Sequence, residues 1–303
     1  MSHNHDHDSH SHSHSLDFQA GNRRAFIVGI YLNMAFVIAE IIGGLIFNSM
    51  SLLTDAGHNL SDVASLFLSL LAFKMATRKS SPVYTYGFKK TTVLAALANA
   101  VILFIAIGIL GVESFTRLLK PEKVQGGVIA WIAALGIVVN SITAFLFYGN
   151  RKKELNAKTA YLHLFADALI SLGVVVTGII IVYTGWYWLD AITGIVIMII
   201  ILISAWGLLR DSFKMTIDAV PSGIELEDIK KIILQVNHVT QVGHVHVWPL
   251  STTENALTAH VAIDEQLSFD EKLNVIANIR HELIHHNIHH STIELQKFVQ
   301  QVN

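Results

Sequence analysis

Cysteine is absent from the chain, which excludes both disulfide staples and thiolate metal ligands. Charge is scarce as well. Asp, Glu, Lys and Arg make up 15% of the 303 residues, where a soluble domain carries about a quarter. The formal net charge of −2 points to no partner of either sign, and no nucleic-acid partner is expected. In place of charge there is apolar bulk, 52% of the residues with a mean hydropathy of +0.50, and an excess of histidine, 17 copies in all. A chain rich in imidazole and empty of thiol must use nitrogen and oxygen donors wherever it handles a metal. No organic cofactor is expected.

The composition divides the chain into three parts. Residues 1–21 are a polar, low-complexity tail, residues 22–210 hold long apolar blocks, and residues 211–303 turn polar again. Six blocks are long enough to cross a bilayer at ~20 residues each: Ala25–Phe47, Leu52–Phe73, Thr91–Phe115, Gly126–Tyr148, Thr159–Tyr183 and Trp188–Leu209. The first is not expected to be a cleaved signal peptide, being too long for its apolar core and lacking a small-residue cleavage site. Lys and Arg cluster before span one (Arg23, Arg24), between spans two and three (Lys74, Arg78, Lys79, Lys89, Lys90) and between spans four and five (Arg151, Lys152, Lys153, Lys158). By the positive-inside rule both termini face the cytoplasm, and Trp186, Tyr187 and Trp188 fall in an outer aromatic belt. Short loops and the lack of organelle signals indicate a bacterial inner membrane, with membrane lipid as the surroundings. The expected fold is an all-α membrane bundle of six transmembrane helices plus a small α+β cytoplasmic domain.

Within these apolar blocks stand ionisable residues, each costing at least ~2.5 kcal/mol in hydrocarbon. His58 and Asp62, in "HNLSD", are four apart and share one helix face. His163 and Asp167, in "HLFAD", repeat the spacing in span five. If the two spans pack together, two imidazoles and two carboxylates converge, a set that suits tetrahedral Zn²⁺. A single pair has the alternative explanation of a hydrogen bond between packed helices; two matching pairs in different spans are harder to dismiss in that way. Asp55 precedes His58 by three and borders the same space. Asn33 and Glu40 share a face of span one, either lining an ion path or bonding between helices. Metal ligands must be deprotonated, so protons compete with Zn²⁺ for such a site, and imidazole titrates near ~6.5.

The stretches "SLLTDAGHNLSD", "YTYGFKKTTVLAALAN", "HLFAD" and "ALTAHVAID", in that order, resemble the cation diffusion facilitator family over about residues 23–297. The resemblance implies a six-span homodimeric transporter with a metallochaperone-like cytoplasmic domain, exporting Zn²⁺ in exchange for protons. It carries the transport site to His58, Asp62, His163 and Asp167, with histidine at the first position favouring zinc over cadmium. It also implies a zinc-binding regulatory site in the cytoplasmic domain. His260 and His290 fall at matching positions there, with His244 and His246 adjacent to a third position held by Gly243; Thr292 stands where a carboxylate can occur. The loop "KMATRKSSPVYTYGFKK" has neither Asp nor His, so the second metal site that some members carry there is not expected.

In the tail, His3, His5, His7, His10, His12 and His14 alternate with Ser, Asn and Asp, a composition that binds metal weakly and buries no core. The polar C-terminal part reads as α-β-β-α-β: a helix over about Ile224–Val236, strands in "VTQVGHVHVWPL" and "ALTAHVAID", a helix from Ser268 to about His286, and a strand "STIELQKF". Asp218 either pairs with a basic residue of the loop between spans two and three or is a solvated charge. "HELIH" places His281, Glu282 and His285 in the pattern of a zinc peptidase, but histidine is so frequent around it that chance accounts for the match. A membrane metallopeptidase and a non-transporting metal sensor remain the alternatives to a transporter.

Overall fold

The computed structural model describes residues 20–148 and 155–297; the tail histidines His3, His5, His7, His10, His12 and His14 lie outside them. Six long helices come first: α1 (Ala20–Ile46), α2 (Met50–Ala76), α3 (Thr91–Leu119), α4 (Gly126–Tyr148), α5 (Leu155–Thr184) and α6 (Trp188–Thr216). Five of them are long and apolar enough to cross a membrane, and α1 carries the apolar stretch Ile30–Ile46. α6 outruns the expected span by seven residues, from Leu209 to Thr216. Its last turns, "RDSFKMT", continue the helix after the apolar run has ended, so hydropathy stops before the backbone does.

Short reversals link the helices. Asn48 takes a left-handed φ of 54° between α1 and α2, a conformation asparagine tolerates better than most residues. Ser49 then caps α2, its hydroxyl accepting from the Leu52 amide at 3.3 Å. Gly185, at φ 68°, turns the chain from α5 towards α6. α3 packs along α6, α4 along α5, and α1 against both α2 and α4; α2 touches α5 over a short stretch only. Leu52, Leu103, Ile107, Ile129, Val174 and Ile197 fill the middle. Large apolar side chains such as Trp131, Ile109 and Ile203 point outward and stay exposed, a surface that only lipid solvates without cost. The protein is integral to a membrane.

The C-terminal domain follows the expected α-β-β-α-β order: α7 (Leu226–Gln235), β1 (Val239–Pro249), β2 (Asn255–Ile263), α8 (Phe269–Ile284) and β3 (Ile288–Leu295). β1 pairs with β2 antiparallel, and β2 with β3 parallel, with α8 as the crossover. Ile233, Leu257, Val261, Ile279, Leu283 and Ile288 form its core. β3 begins three residues before the expected Ser291 because Ile288 is buried opposite Asn255, and Asn287, at φ 60°, makes the turn out of α8. A cluster of polar contacts ties this domain to the start of α3. Lys90 Nζ bonds both the Asp218 carboxylate and the Pro249 carbonyl. Lys89 Nζ lies 2.5 Å from Glu254 Oε2, and the Thr252 amide donates to Thr92 Oγ1 at 3.1 Å. Asp218 is thus paired, and its partner is Lys90.

Candidate metal centre

α2 and α5 run in opposite directions. The His-x-x-x-Asp pair of one is therefore reversed against the other, and each histidine falls level with the opposite aspartate. His58 Nε2 lies 3.3 Å from Asp167 Oδ1, and His163 Nε2 lies 3.0 Å from Asp62 Oδ2. Along each helix, His58 Nε2 is 3.8 Å from Asp62 Oδ2, and His163 Nε2 is 3.6 Å from Asp167 Oδ2. Four donors held tetrahedrally ~2.0–2.1 Å from one cation stand ~3.3 Å apart along each edge. The four His–Asp separations are close to that length, with Asp167 presenting Oδ1 to His58 and Oδ2 to His163. Single donor atoms of Asp62, His163 and Asp167 all lie within 4.8 Å of one another. His58 stands outside that tight group; its ring lies edge-on to that of His163, the centroids 5.9 Å apart.

Exposure grades across the four. The side chains of His163 and Asp62, on the side of the C-terminal domain, are 45% and 38% accessible, while His58 and Asp167 are at 14% and 5%. One face of the cluster is open and the other is sealed by protein. Beyond the sealed face, Asp55 and Glu40 are wholly buried. Asn59 Nδ2 donates to Glu40 Oε2 at 3.0 Å, and Ser171 Oγ donates to Asp55 Oδ2 at 3.3 Å. Glu40 therefore makes an interhelical hydrogen bond, one of the two readings its position allowed.

α2 is anchored at its N-terminal end by a residue that sequence reasoning passed over. Asp190, in the first turn of α6, is buried and accepts from the Met50 amide (2.6 Å), Ser49 Oγ (2.7 Å) and Ser51 Oγ (2.5 Å). A carboxylate at a helix N-terminus satisfies free amides and complements the helix dipole. Its signal in the sequence was present, an acidic residue at the start of an apolar span, but its partners lie about 140 residues away.

In the C-terminal domain the strand register separates the histidines. His244 sits in a bulge of β1 at φ 46°, which brings its ring to 4.9 Å from that of His260. His260 Nε2 is 3.5 Å from Glu294 Oε2, a carboxylate not foreseen. His246 lies opposite Thr258 on β2. His290 pairs in register with Ala256, four residues from His260, or ~13 Å at ~3.3 Å per residue; its ring packs edge-on to Tyr86 at 5.2 Å. Thr292 likewise faces Thr258 rather than His260. Within one chain, His290 and His260 therefore do not meet. On α8, His281 and His285 contact each other with centroids 5.0 Å apart, and among the described residues no third donor completes a ligand group with them.

Residues 26–215 match the family model "Cation efflux transmembrane domain", and residues 221–297 match "Cation efflux protein, cytoplasmic domain". The chain is 33% identical over 280 residues to the "Cadmium, cobalt and zinc/H(+)-K(+) antiporter" of Bacillus subtilis (strain 168), covering 92% of this chain and 90% of that one. It is 32% identical over 278 residues to "Zinc transporter ZitB" of Escherichia coli (strain K12), covering 91% and 88%. To the "Metal cation efflux system protein CzcD" of Cupriavidus metallidurans it is 33% identical over 284 residues, covering 93% and 89%. A family of transporters leaves no place for a peptidase built on His281, Glu282 and His285. Matched by both models in order along its length, the chain belongs to the cation diffusion facilitator family of membrane transporters.

Proposed function

We propose that the chain is a secondary active transporter that exports Zn²⁺ from the cytoplasm by proton antiport, with the ion held among His58, Asp62, His163 and Asp167. The observation that carries this reading is the set of four donor separations, 3.0 to 3.8 Å, which fit the edges of a tetrahedral zinc site. The two aspartates neutralise the ion, and the two imidazoles bind it only when deprotonated. A rise in proton activity on one side of the membrane thus expels the metal there. The printed names of relatives support zinc as substrate and protons as counter-ion.

The chain divides functionally into residues 1–21, 22–210 and 211–303, with both termini in the cytoplasm of a bacterium and the transporter in its inner membrane. It works as a homodimer, a reading supported by the match to the family's cytoplasmic domain. Zinc also acts as a regulatory ligand of that domain at His244 and His260, with Glu294 as the carboxylate. The tail histidines His3, His5, His7, His10, His12 and His14 buffer metal weakly, and transport survives their deletion.

The test uses purified protein in vesicles loaded with a zinc-sensitive dye, under an imposed pH gradient. Wild type and Glu282→Gln take up zinc, and Asp167→Ala does not. Zinc binding with no flux under any gradient would make the protein a sensor, and undiminished flux in Asp167→Ala would remove that residue from the site.

A further inference from the structure

Glu40 bonds Asn59, four residues after Asp55 on α2, so its carboxyl lies against the helix face that carries Asp55, and both side chains are at 0% exposure. Their surroundings supply two donors, the Asn59 amide to Glu40 Oε2 and the Ser171 hydroxyl to Asp55 Oδ2. The other oxygen of each, Glu40 Oε1 and Asp55 Oδ1, is buried with no donor. Two carboxylate oxygens cannot satisfy each other, and two like charges side by side in a dry bundle repel strongly. Adding one proton to the pair eases both difficulties, since it removes one of the two charges and gives the pair a donor of its own. A metal cation fits less well, because the Asn59 and Ser171 donors already point their hydrogens at the same carboxyls.

The position gives that proton a role. Asp55 lies three residues from His58 on α2, and Ser171 lies four from Asp167 on α5, so the pair sits about one helical turn beyond the sealed face of the metal cluster. The other titratable groups acting on it are His58 from α2 and Asp167 from α5. α4, packed against α1, carries no Asp, Glu, His, Lys or Arg. α6, against the far end of α2, brings Asp190, which is engaged with Ser49, Met50 and Ser51.

We propose that Glu40 and Asp55 form a proton-binding site separate from the four metal-facing donors, through which the proton exchanged for metal enters from the side opposite the C-terminal domain. This rests on the antiport assigned above. When metal leaves, the shared proton passes to the cluster, and the pair is reprotonated from the far side; no bond other than O–H and N–H is made or broken.

The experiment has two parts, both on the full-length protein. Infrared difference spectra of the wild type at neutral pH should contain the carbonyl stretch of a protonated carboxylic acid. That band should shift in D₂O and vanish in both Glu40→Gln and Asp55→Asn. In vesicles, Glu40→Gln should lower zinc-driven proton flux at least tenfold, while its equilibrium zinc affinity stays within about twofold of wild type. Wild-type proton coupling in Glu40→Gln overturns the proposal, as does a loss of zinc affinity as large as the loss of flux. Absence of the band, or its replacement on adding K⁺, overturns it too, the latter by making the pair a monovalent cation site. If the wild type moves no zinc, the assigned transport fails, and the infrared band still decides whether the pair holds a proton.

Discussion

Removing the Asp190 carboxylate should loosen α2 at the end from which the metal cluster is hung. In Asp190→Ala the Met50 amide, now 2.6 Å from its acceptor, is left buried and unpaired at a cost of ~1–3 kcal/mol. The anion at the helix start contributes up to ~2 kcal/mol more in a partly buried setting. The Ser49 and Ser51 hydroxyls lose less, since they stand 3.1 Å apart and can bond each other. The sum is about 1–5 kcal/mol, centred near 3, which at roughly 2–4 °C per kcal/mol lowers the unfolding midpoint by about 10 °C. Asp190→Asn keeps an acceptor for the amide but loses the charge, and should show about half that drop. The five tryptophans give the readout, as fluorescence against temperature in a fixed detergent, with Asp211→Ala, a partly exposed carboxylate that meets the neighbouring Arg210, as a control that stays near wild type. Zinc affinity should fall with the midpoint in Asp190→Ala, because α2 carries His58 and Asp62. A midpoint within about 2 °C of wild type for Asp190→Ala would refute the reasoning.

Three further outcomes follow from other contacts. Lys90→Asp separates the C-terminal domain from α3 by repelling Asp218 and releasing the Pro249 carbonyl; transport should fall several-fold with zinc affinity kept, and the swap Lys90→Asp with Asp218→Lys should restore part of it. The Ser268 hydroxyl and then the Ser268 amide, both 2.7 Å from Glu271 Oε2, hold the Glu271 carboxyl below its ordinary 4.5. The stabilisation from this capping box is therefore complete above the ordinary value and is lost as pH falls through the depressed one, and an NMR titration of Ser268→Ala should move Glu271 back up. His260→Ala should weaken zinc binding to the C-terminal domain while His290→Ala should not, a difference readable by calorimetry; equal losses would return His290 to that site.

Much of the architecture is a local property of the chain. The six helices lie where the apolar runs occur, five of them long enough to cross a membrane, because the cost of exposing backbone and charge to lipid is set residue by residue. The α-β-β-α-β order follows from alternation and capping signals such as Ser268 and Glu271. The four-residue spacing of His58 with Asp62, and of His163 with Asp167, fixes each pair on one helix face whatever lies opposite. Those faces come to oppose each other, histidine level with aspartate, only because the bundle packs α2 antiparallel to α5. The same holds for Asp190 reaching Ser49 and Ser51, for Glu40 meeting Asp55, and for Glu294 standing beside His260 while His290 is carried ~13 Å along the sheet at ~3.3 Å per residue. Helical spacing and transfer energies act over a few residues and can be read in order. Contacts between side chains a hundred residues apart depend on helix direction, crossing and strand register, which the whole packed core decides together.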